Sequence, residues 1–553
     1  MRLGRLEDAG TNQLRYAAAH PDDVRAQLGL ADVCLALGRF DDALSAITAA
    51  ERLSPGDVGS LLRRGAALAS LRRFPVARAC FVEALEINES AVTAYVQRIA
   101  PGSRLDFMLS PQNLFFWQCH LAFQRCDWSS WQACAEELRR LPSTPDVTVE
   151  PAIAFIAFHL PLNGRERLAV ARHVAKGIEA KAPVLAPAAA QSEGRIRLGI
   201  LSPDLREHLN AYLLLPLFEL LDRERFELYA YSLAPDDGSP VRAALLGAAD
   251  VFQEINEFSD DGAAAAIRAN KIDLLVDAGG HTTGGRFGIT ARRPAHVQAL
   301  YLGFAGSLGS ARVDHAIGDR VVWGSQDEWA ESPAFLPHTY YLYDFREPVP
   351  DVPVSRRDYG LPEDTIVFCA FHKAEKISPD AFALWMRILA AVPGSVLWHL
   401  ALPAAAQRNL AHEAGRLGVD PARLIFAPFD PRDRYLARQR LGHLMLDAIH
   451  HSAMTTACDA MAAGLPVLTL RGAAMASRAG ESLACAAGVP ELVASDRAKF
   501  VEKAVSLASK PAELARLRDV LLARTGPLFD TAGQVRELET VFLGMLQKTE
   551  KHR

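Results

Sequence analysis

A cationic excess, paired cysteines, secretory leaders and metal-ligand spacings are all missing from this chain of 553 residues, and each gap narrows what it can do. Lys and Arg number 60 against 65 Asp and Glu, so no overall positive field is available to hold a nucleic-acid backbone, and none is expected as a partner. The eight cysteines (Cys34, Cys80, Cys119, Cys126, Cys134, Cys369, Cys458 and Cys485) form no C-x-x-C pair and lie in apolar neighbourhoods, which reads as reduced core thiols. The opening MRLGRLEDAGTNQL lacks an apolar stretch of signal-peptide length, and no continuous apolar run is long enough to span a membrane. A soluble, cytoplasmic protein with no membrane partner is expected. No D-x-D pair follows a strand-like run, and H-E-x-x-H, the Walker loop and G-x-S-x-G are absent, so no metal site is expected.

What is present is globular throughout: 50% of residues are hydrophobic and 23% charged, a length and balance that predict about three or four folded units. Shifted by 34, the sequence matches itself: Phe40 falls on Phe74, Ala43 on Ala77, Ala50 on Ala84, Leu53 on Ile87 and Pro21 on Pro55. That is the tetratricopeptide period. Small residues such as Ala43 and Gly65 let paired helices approach, Phe40 and Phe74 fill the gap, and Pro55 stops the second helix. The register fades after residue 91, and a related pattern returns around Trp128 and Trp131. Residues 1–150 are therefore expected to be helical repeats, and 151–194 a helical, Ala-rich linker ending in KAPVLAPAAAQSEG.

A different rhythm starts at Arg195, where short β-prone runs alternate with amphipathic segments: RIRLGILS, FELYAYSL, IDLLVDAGG, VQALYLGF. This predicts a parallel α/β domain over 195–346. EPVPDVPVSRRDYG, 347–360, reads as a linker. TIVFCAFH, GSVLWHLAL, RLIFAPF, HLMLDAI and LPVLTL then predict a second α/β domain over 361–530, before a terminal helix at 531–553. Two such domains make a cleft between facing strand ends, where ligands bind.

Four elements at that cleft carry chemistry. After HLMLDAI, the loop HHSAM leads to a helix that begins at Thr455 and Thr456; its free N–H groups suit a pyrophosphate, and Asp459, one turn on, suits ribose hydroxyls. The same residues also read as a threonine cap and a solvated aspartate on an ordinary helix. AFHKAEKISP places Lys373 and Lys376 at a strand end, able to neutralise a departing phosphate or simply exposed. His208, in SPDLREHLN, stands at the opposite wall, suited to proton exchange or to a polar contact, though a helix-start histidine reads as well. The turns DAGGHTTGGR and LGFAGSLGS follow strands, and Gly279, Gly280, Gly303 and Gly306 would let backbone approach a ligand closely. Neither turn has the spaced glycines of a dinucleotide site.

Repeats followed by SPDLREH, YSLAPDDG, RRPAHVQALYLGFAGSLG, LPHTYY, SVLWHL, MTTACDAMAAGLPVLTL and ASRAGESL resemble, over nearly the whole chain, the O-linked N-acetylglucosamine transferases of proteins, specifically a bacterial member. The resemblance implies an all-α tetratricopeptide superhelix followed by two Rossmann-like domains in the GT-B arrangement. It also implies UDP-N-acetylglucosamine as donor, protein Ser or Thr hydroxyls as acceptors guided by the repeats, inversion at the anomeric carbon, and no metal or other cofactor. By the same resemblance His208 is the active-site histidine, base or sugar contact, and Lys376 the essential lysine on the diphosphate. Thr455 and Thr456 bind phosphate, Asp459 binds ribose, and Leu302, Gly303 and Ala305 line the sugar with Thr282 nearby; Lys373 and His451 complete the donor-binding set. There are departures. Met454 stands where animal members carry histidine, Tyr435 replaces a base-stacking histidine, Arg432 a lysine, and Ala305 a frequent proline. Tyr435 still stacks on uracil and Arg432 keeps a cation, but Met454 gives phosphate no donor. Two rivals stand beside this reading: an adaptor that holds UDP or a UDP-sugar without turnover, and a transferase using another UDP-sugar or a small acceptor.

Overall fold

The computed structural model of the protein describes residues 2–71, 73–97, 104–186 and 194–551; part of the segment after residue 91 and the end of the Ala-rich linker lie outside them. Two compact units divide the chain, 1–121 and 122–553. In the first, the period of 34 becomes geometry. Helices Val24–Ala36 and Val58–Ser70 follow Asp23 and Asp57, whose carboxylates accept the N–H groups of Arg25 and Ser60. Helices Phe40–Leu53 and Phe74–Ile87 each run 14 residues. Ala43, Ala50, Ala77 and Ala84 are wholly buried, and a side chain at Gly65 would come 2.5 Å from the Phe81 ring. Small residues at these positions are what close helix packing requires.

The second unit opens with helices, among them Trp131–Arg140 and Gly164–Glu179, so residue 150, the expected end of the repeats, falls inside it. Its first sheet is wholly parallel, with strands β1 Ile196–Ser202, β2 Phe226–Ser232, β3 Val251–Glu254, β4 Leu274–Asp277, β5 Val297–Leu300, β6 His315–Asp319 and β7 Ser332–Leu336 in the order 3-2-1-4-5-6-7. Leu198 on β1 stands opposite Leu228 and Leu274, which fixes the register of the centre. The second sheet holds β8 Val367–Ala370, β9 Val396–His399, β10 Leu424–Phe426, β11 Leu444–Leu446, β12 Val467–Leu470 and β13 Val493–Ala494 in the order 10-9-8-11-12-13. β8 and β11 are buried throughout, as strands covered on both faces must be. In each sheet the order reverses once, between β1 and β4 and between β8 and β11, and crevices open at the carboxyl ends of such strand pairs.

Helix Thr531–Lys551 returns to the first sheet: Phe226 and Phe542 meet ring to ring at 6.3 Å, and the Asp222 N–H donates to Glu539 at 2.8 Å. All eight cysteines are free thiols. Seven are buried as expected, but Cys485 is exposed, on the outer side of helix Met475–Ala486, and is not a core residue.

Candidate active site

Four loops that follow the central strands at the two reversal points, with the helix after the last of them, carry most of the residues singled out from sequence. In the second sheet, β8 leads into the turn Ala374–Lys376 and β11 into the loop 447–454. Lys376 Nζ donates to the Ser452 carbonyl at 3.0 Å, joining the two loops, while Lys373 is exposed. Burial draws the Lys376 ammonium down to about 8, against the attraction of Asp447. Asp447 is fully buried and accepts from the backbone of Ala448 and Ala453 and from Thr469 Oγ1 at 2.7–2.8 Å; burial pushes it up to about 6. Sequence reasoning passed over Asp447, whose signal was a carboxylate closing a buried strand.

Helix Thr455–Ala462 begins where it was expected, and Gly464 ends it at φ +76°. Its first residues are not bare. The Tyr341 hydroxyl bonds Thr455 Oγ1, the Tyr340 hydroxyl reaches Met454 Sδ at 3.4 Å, and Thr456 is half-buried. Asp459 is 2% exposed, not solvated: it takes Tyr343 Oη at 2.5 Å and Arg432 at 2.7 and 3.2 Å. Arg432 is exposed over half its side chain and lies 5.7 Å from the centre of the half-buried Tyr435 ring, with Arg438 5.3 Å from the same ring. The three tyrosines come from the segment after β7, which the motif LPHTYY and the aromatics after it mark in the sequence. His451 is buried against Phe155, Phe158 and His159, its ring 5.1 Å from that of His159. Burial, then the charge of Lys376, holds it well below the usual histidine range, so it is neutral.

On the first sheet, His208 caps helix Leu209–Leu220: its Nδ1 accepts the Asn210 N–H at 3.2 Å and lies 3.4 Å from Asp204 Oδ2. Burial lowers its pKa, Asp204 opposes this, and the charge of Lys373 reaches it from the second sheet. The glycines of the two turns are required by packing. A side chain at Gly280 would come 2.7 Å from Phe304, one at Gly279 2.7 Å from Pro203, and one at Gly303 would meet the Ala278 carbonyl. The turns pack on each other and on neighbouring side chains, and His281 Nε2 bonds the Leu308 carbonyl between them at 2.9 Å. Thr282 donates to the Gly279 carbonyl at 2.8 Å. Leu302 sits at φ +70°, a strained conformation for a branched side chain, beside Gly303 and the buried Ala305.

A third element supports the lysine loop. Trp128 Nε1 donates to the Ile377 carbonyl at 2.9 Å, its ring lies 5.8 Å from Phe382, and Asn409 holds the Arg125 carbonyl at 2.9 Å.

The sequence pattern of glycosyl transferase family 41 matches residues 126–354 and 347–538, and that of the tetratricopeptide repeat matches residues 1–58. The chain belongs to glycosyl transferase family 41. The family 41 match begins at 126, so it takes in the tryptophan turn as well as both sheets. Among curated relatives, the chain is similar to a probable UDP-N-acetylglucosamine–peptide N-acetylglucosaminyltransferase, SEC, of Arabidopsis thaliana, 34% identical over 361 residues that cover 64% of this chain and 37% of that protein. It is 25% identical over 559 residues to the UDP-N-acetylglucosamine–peptide N-acetylglucosaminyltransferase of Caenorhabditis elegans, covering 76% of this chain and 48% of that one. The chain thus spans less than half the length of these two relatives. Among solved structures, a lysine-to-methionine variant of the Thermobaculum terrenum O-GlcNAc transferase superposes with a TM-score of 0.68 at 25% identity, over 99% of this chain and 95% of that one. Among the described residues, no helix is long and apolar enough to cross a membrane.

Proposed function

We propose that this family 41 member is an inverting glycosyltransferase that moves N-acetylglucosamine from UDP-N-acetylglucosamine to Ser or Thr hydroxyls of proteins, without a metal ion. The observation that carries the reading is the convergence of Lys376 and the start of helix Thr455–Ala462 at the reversal point of the second sheet. An ammonium bonded to a carbonyl and a set of helix N–H groups offer positive charge where a diphosphate leaves. In the reaction the acceptor oxygen bonds to the anomeric carbon from one face while the bond to the phosphate oxygen breaks on the other. The electron pair goes to UDP, the proton of the acceptor hydroxyl passes to solvent water, and the anomeric configuration inverts. Lys376, Thr455 and Thr456 take up the negative charge on UDP; Lys373 adds a cation at the mouth. Tyr435 and Arg432 receive uracil, Asp459 ribose, and Leu302, Gly303, Ala305 and Thr282 the sugar, with His451 beneath the phosphate loop. With its Nδ1 lone pair directed at Asn210, a neutral His208 carries its hydrogen on Nε2, which supports a donor role toward sugar or acceptor.

Names of relatives support the donor and the protein acceptor. Lys376→Ala in the full chain, assayed with UDP-N-acetylglucosamine and a peptide library, should abolish glycopeptide formation; full transfer by that variant would remove the mechanism. If the unmodified protein bound UDP but gave neither glycopeptide nor donor hydrolysis, it would be an adaptor instead.

A further inference from the structure

The ribose aspartate of the proposed donor site has a neighbour that nothing above assigns to recognition. Tyr343 belongs to the segment between the two sheets, is 7% exposed, and donates its hydroxyl to Asp459 Oδ1 at 2.5 Å. The same hydroxyl accepts from Arg432 Nη2 at 2.9 Å, so tyrosine, arginine and carboxylate close a ring of hydrogen bonds. The two oxygens of Asp459 are held unequally. Oδ1 takes Tyr343 and Arg432 Nη2 at 2.5 and 2.7 Å; Oδ2 takes Arg432 Nη1 at 3.2 Å, from a side chain half in solvent. The Tyr435 hydroxyl is a further neighbour of the carboxylate. Tyr343 itself is anchored away from the crevice: Thr531 Oγ1 donates to its carbonyl at 3.2 Å, and its ring packs 4.5 Å from Phe345.

We propose that Tyr343 is a positioning residue for ribose recognition, fixing Asp459 by Oδ1 so that Oδ2 passes from the half-exposed guanidinium of Arg432 to a ribose hydroxyl when nucleotide binds. A carboxylate pinned at one oxygen loses less freedom on accepting a ligand at the other, and a hydrogen bond to a charged acceptor is worth more than a neutral one. The inference rests on UDP being the ligand of this crevice. It also makes nucleoside recognition depend on a residue outside the nucleotide-binding sheet, since Tyr343 follows β7 of the first.

The test is calorimetric titration of the full chain with UDP, 2′-deoxy-UDP and 3′-deoxy-UDP. In the unmodified protein, removing the hydroxyl that Asp459 receives should weaken binding about tenfold or more. In Tyr343→Phe, which keeps the ring packing, that ratio should fall below about threefold while affinity for the deoxy ligand stays near its original value. A purely structural tyrosine would weaken all three ligands alike, and that result overturns the proposal. Asp459→Asn, with Tyr343 in place, should by itself abolish the discrimination, and adding Tyr343→Phe to it should change nothing more. Discrimination that survives in Asp459→Asn, or a further loss in the double variant, overturns it as well. Failure of the unmodified protein to bind UDP would instead remove the donor reading; binding with an unchanged ratio in Tyr343→Phe removes only the role of the tyrosine.

Discussion

Lys376 donates to the Ser452 carbonyl and feels the charge of the buried Asp447 carboxyl, and burial lowers its ammonium to about 8. The sign of the pH effect follows. A lysine whose pKa is depressed is charged below that value and neutral above it, so attraction for a diphosphate is full below pH 8 and is lost as pH rises through it. The dissociation constant for UDP should climb by up to about tenfold per pH unit above the midpoint. Lys376→Arg should keep binding flat across the same range, because a guanidinium stays protonated. Titration calorimetry between pH 6.5 and about 10 would check both, and a flat profile in the unmodified protein would show that the lysine does not hold the phosphates.

At the scale of elements, the lysine turn is braced from outside its own sheet by the Trp128 indole. Trp128→Phe retains the ring but leaves the Ile377 carbonyl without its donor, an unmet bond worth about 1–3 kcal/mol. Donor affinity should fall by about tenfold with the fold intact by circular dichroism. Gly303→Ala would press a methyl group on the Ala278 carbonyl, and one of the two turns must shift. Overpacking of this kind costs about 1–3 kcal/mol, so a lower melting temperature and reduced transfer are expected together. These two elements mark what sequence conveyed and what it hid. The repeats were legible because equal side-chain sizes recur every 34 residues, and the sheets because β-prone runs stand out from amphipathic ones. Lys376, His208 and Thr455 were legible because strand ends are where such sheets bind ligands. The partners of those residues were not. Tyr341 and Thr455 are 114 residues apart and Tyr343 and Asp459 are 116 apart, so their pairing depends on two sheets meeting. The glycines of the two turns were read as making room for a ligand; at Gly280 and Gly303 a side chain would also meet the opposing turn, a packing demand that sequence did not convey. The alternative of a solvated Asp459 stayed open in the sequence because its hydrogen-bond donors lie elsewhere in the chain.

For the whole molecule, the division at residue 121 implies that the unit holding both sheets carries its own core. A chain beginning at residue 104 should bind UDP within about twofold of the full protein, since no candidate donor residue lies before that point. Calorimetry on the two chains would check this, and loss of binding would mean that the repeats hold the crevice together. The helix Thr531–Lys551 has a consequence for how the protein is made. Val535, Leu538 and Phe542 are completely buried, Phe542 meets Phe226, and Arg536 grips the Leu220 carbonyl, so the outer layer of the first α/β domain is supplied from some 300 residues downstream. While the ribosome is still reading the second domain, the first must wait with an apolar flank uncovered. Chains released before this helix would carry that open flank to the proteases and chaperones of the cell, so that translation of Thr531–Lys551 seals the first α/β domain.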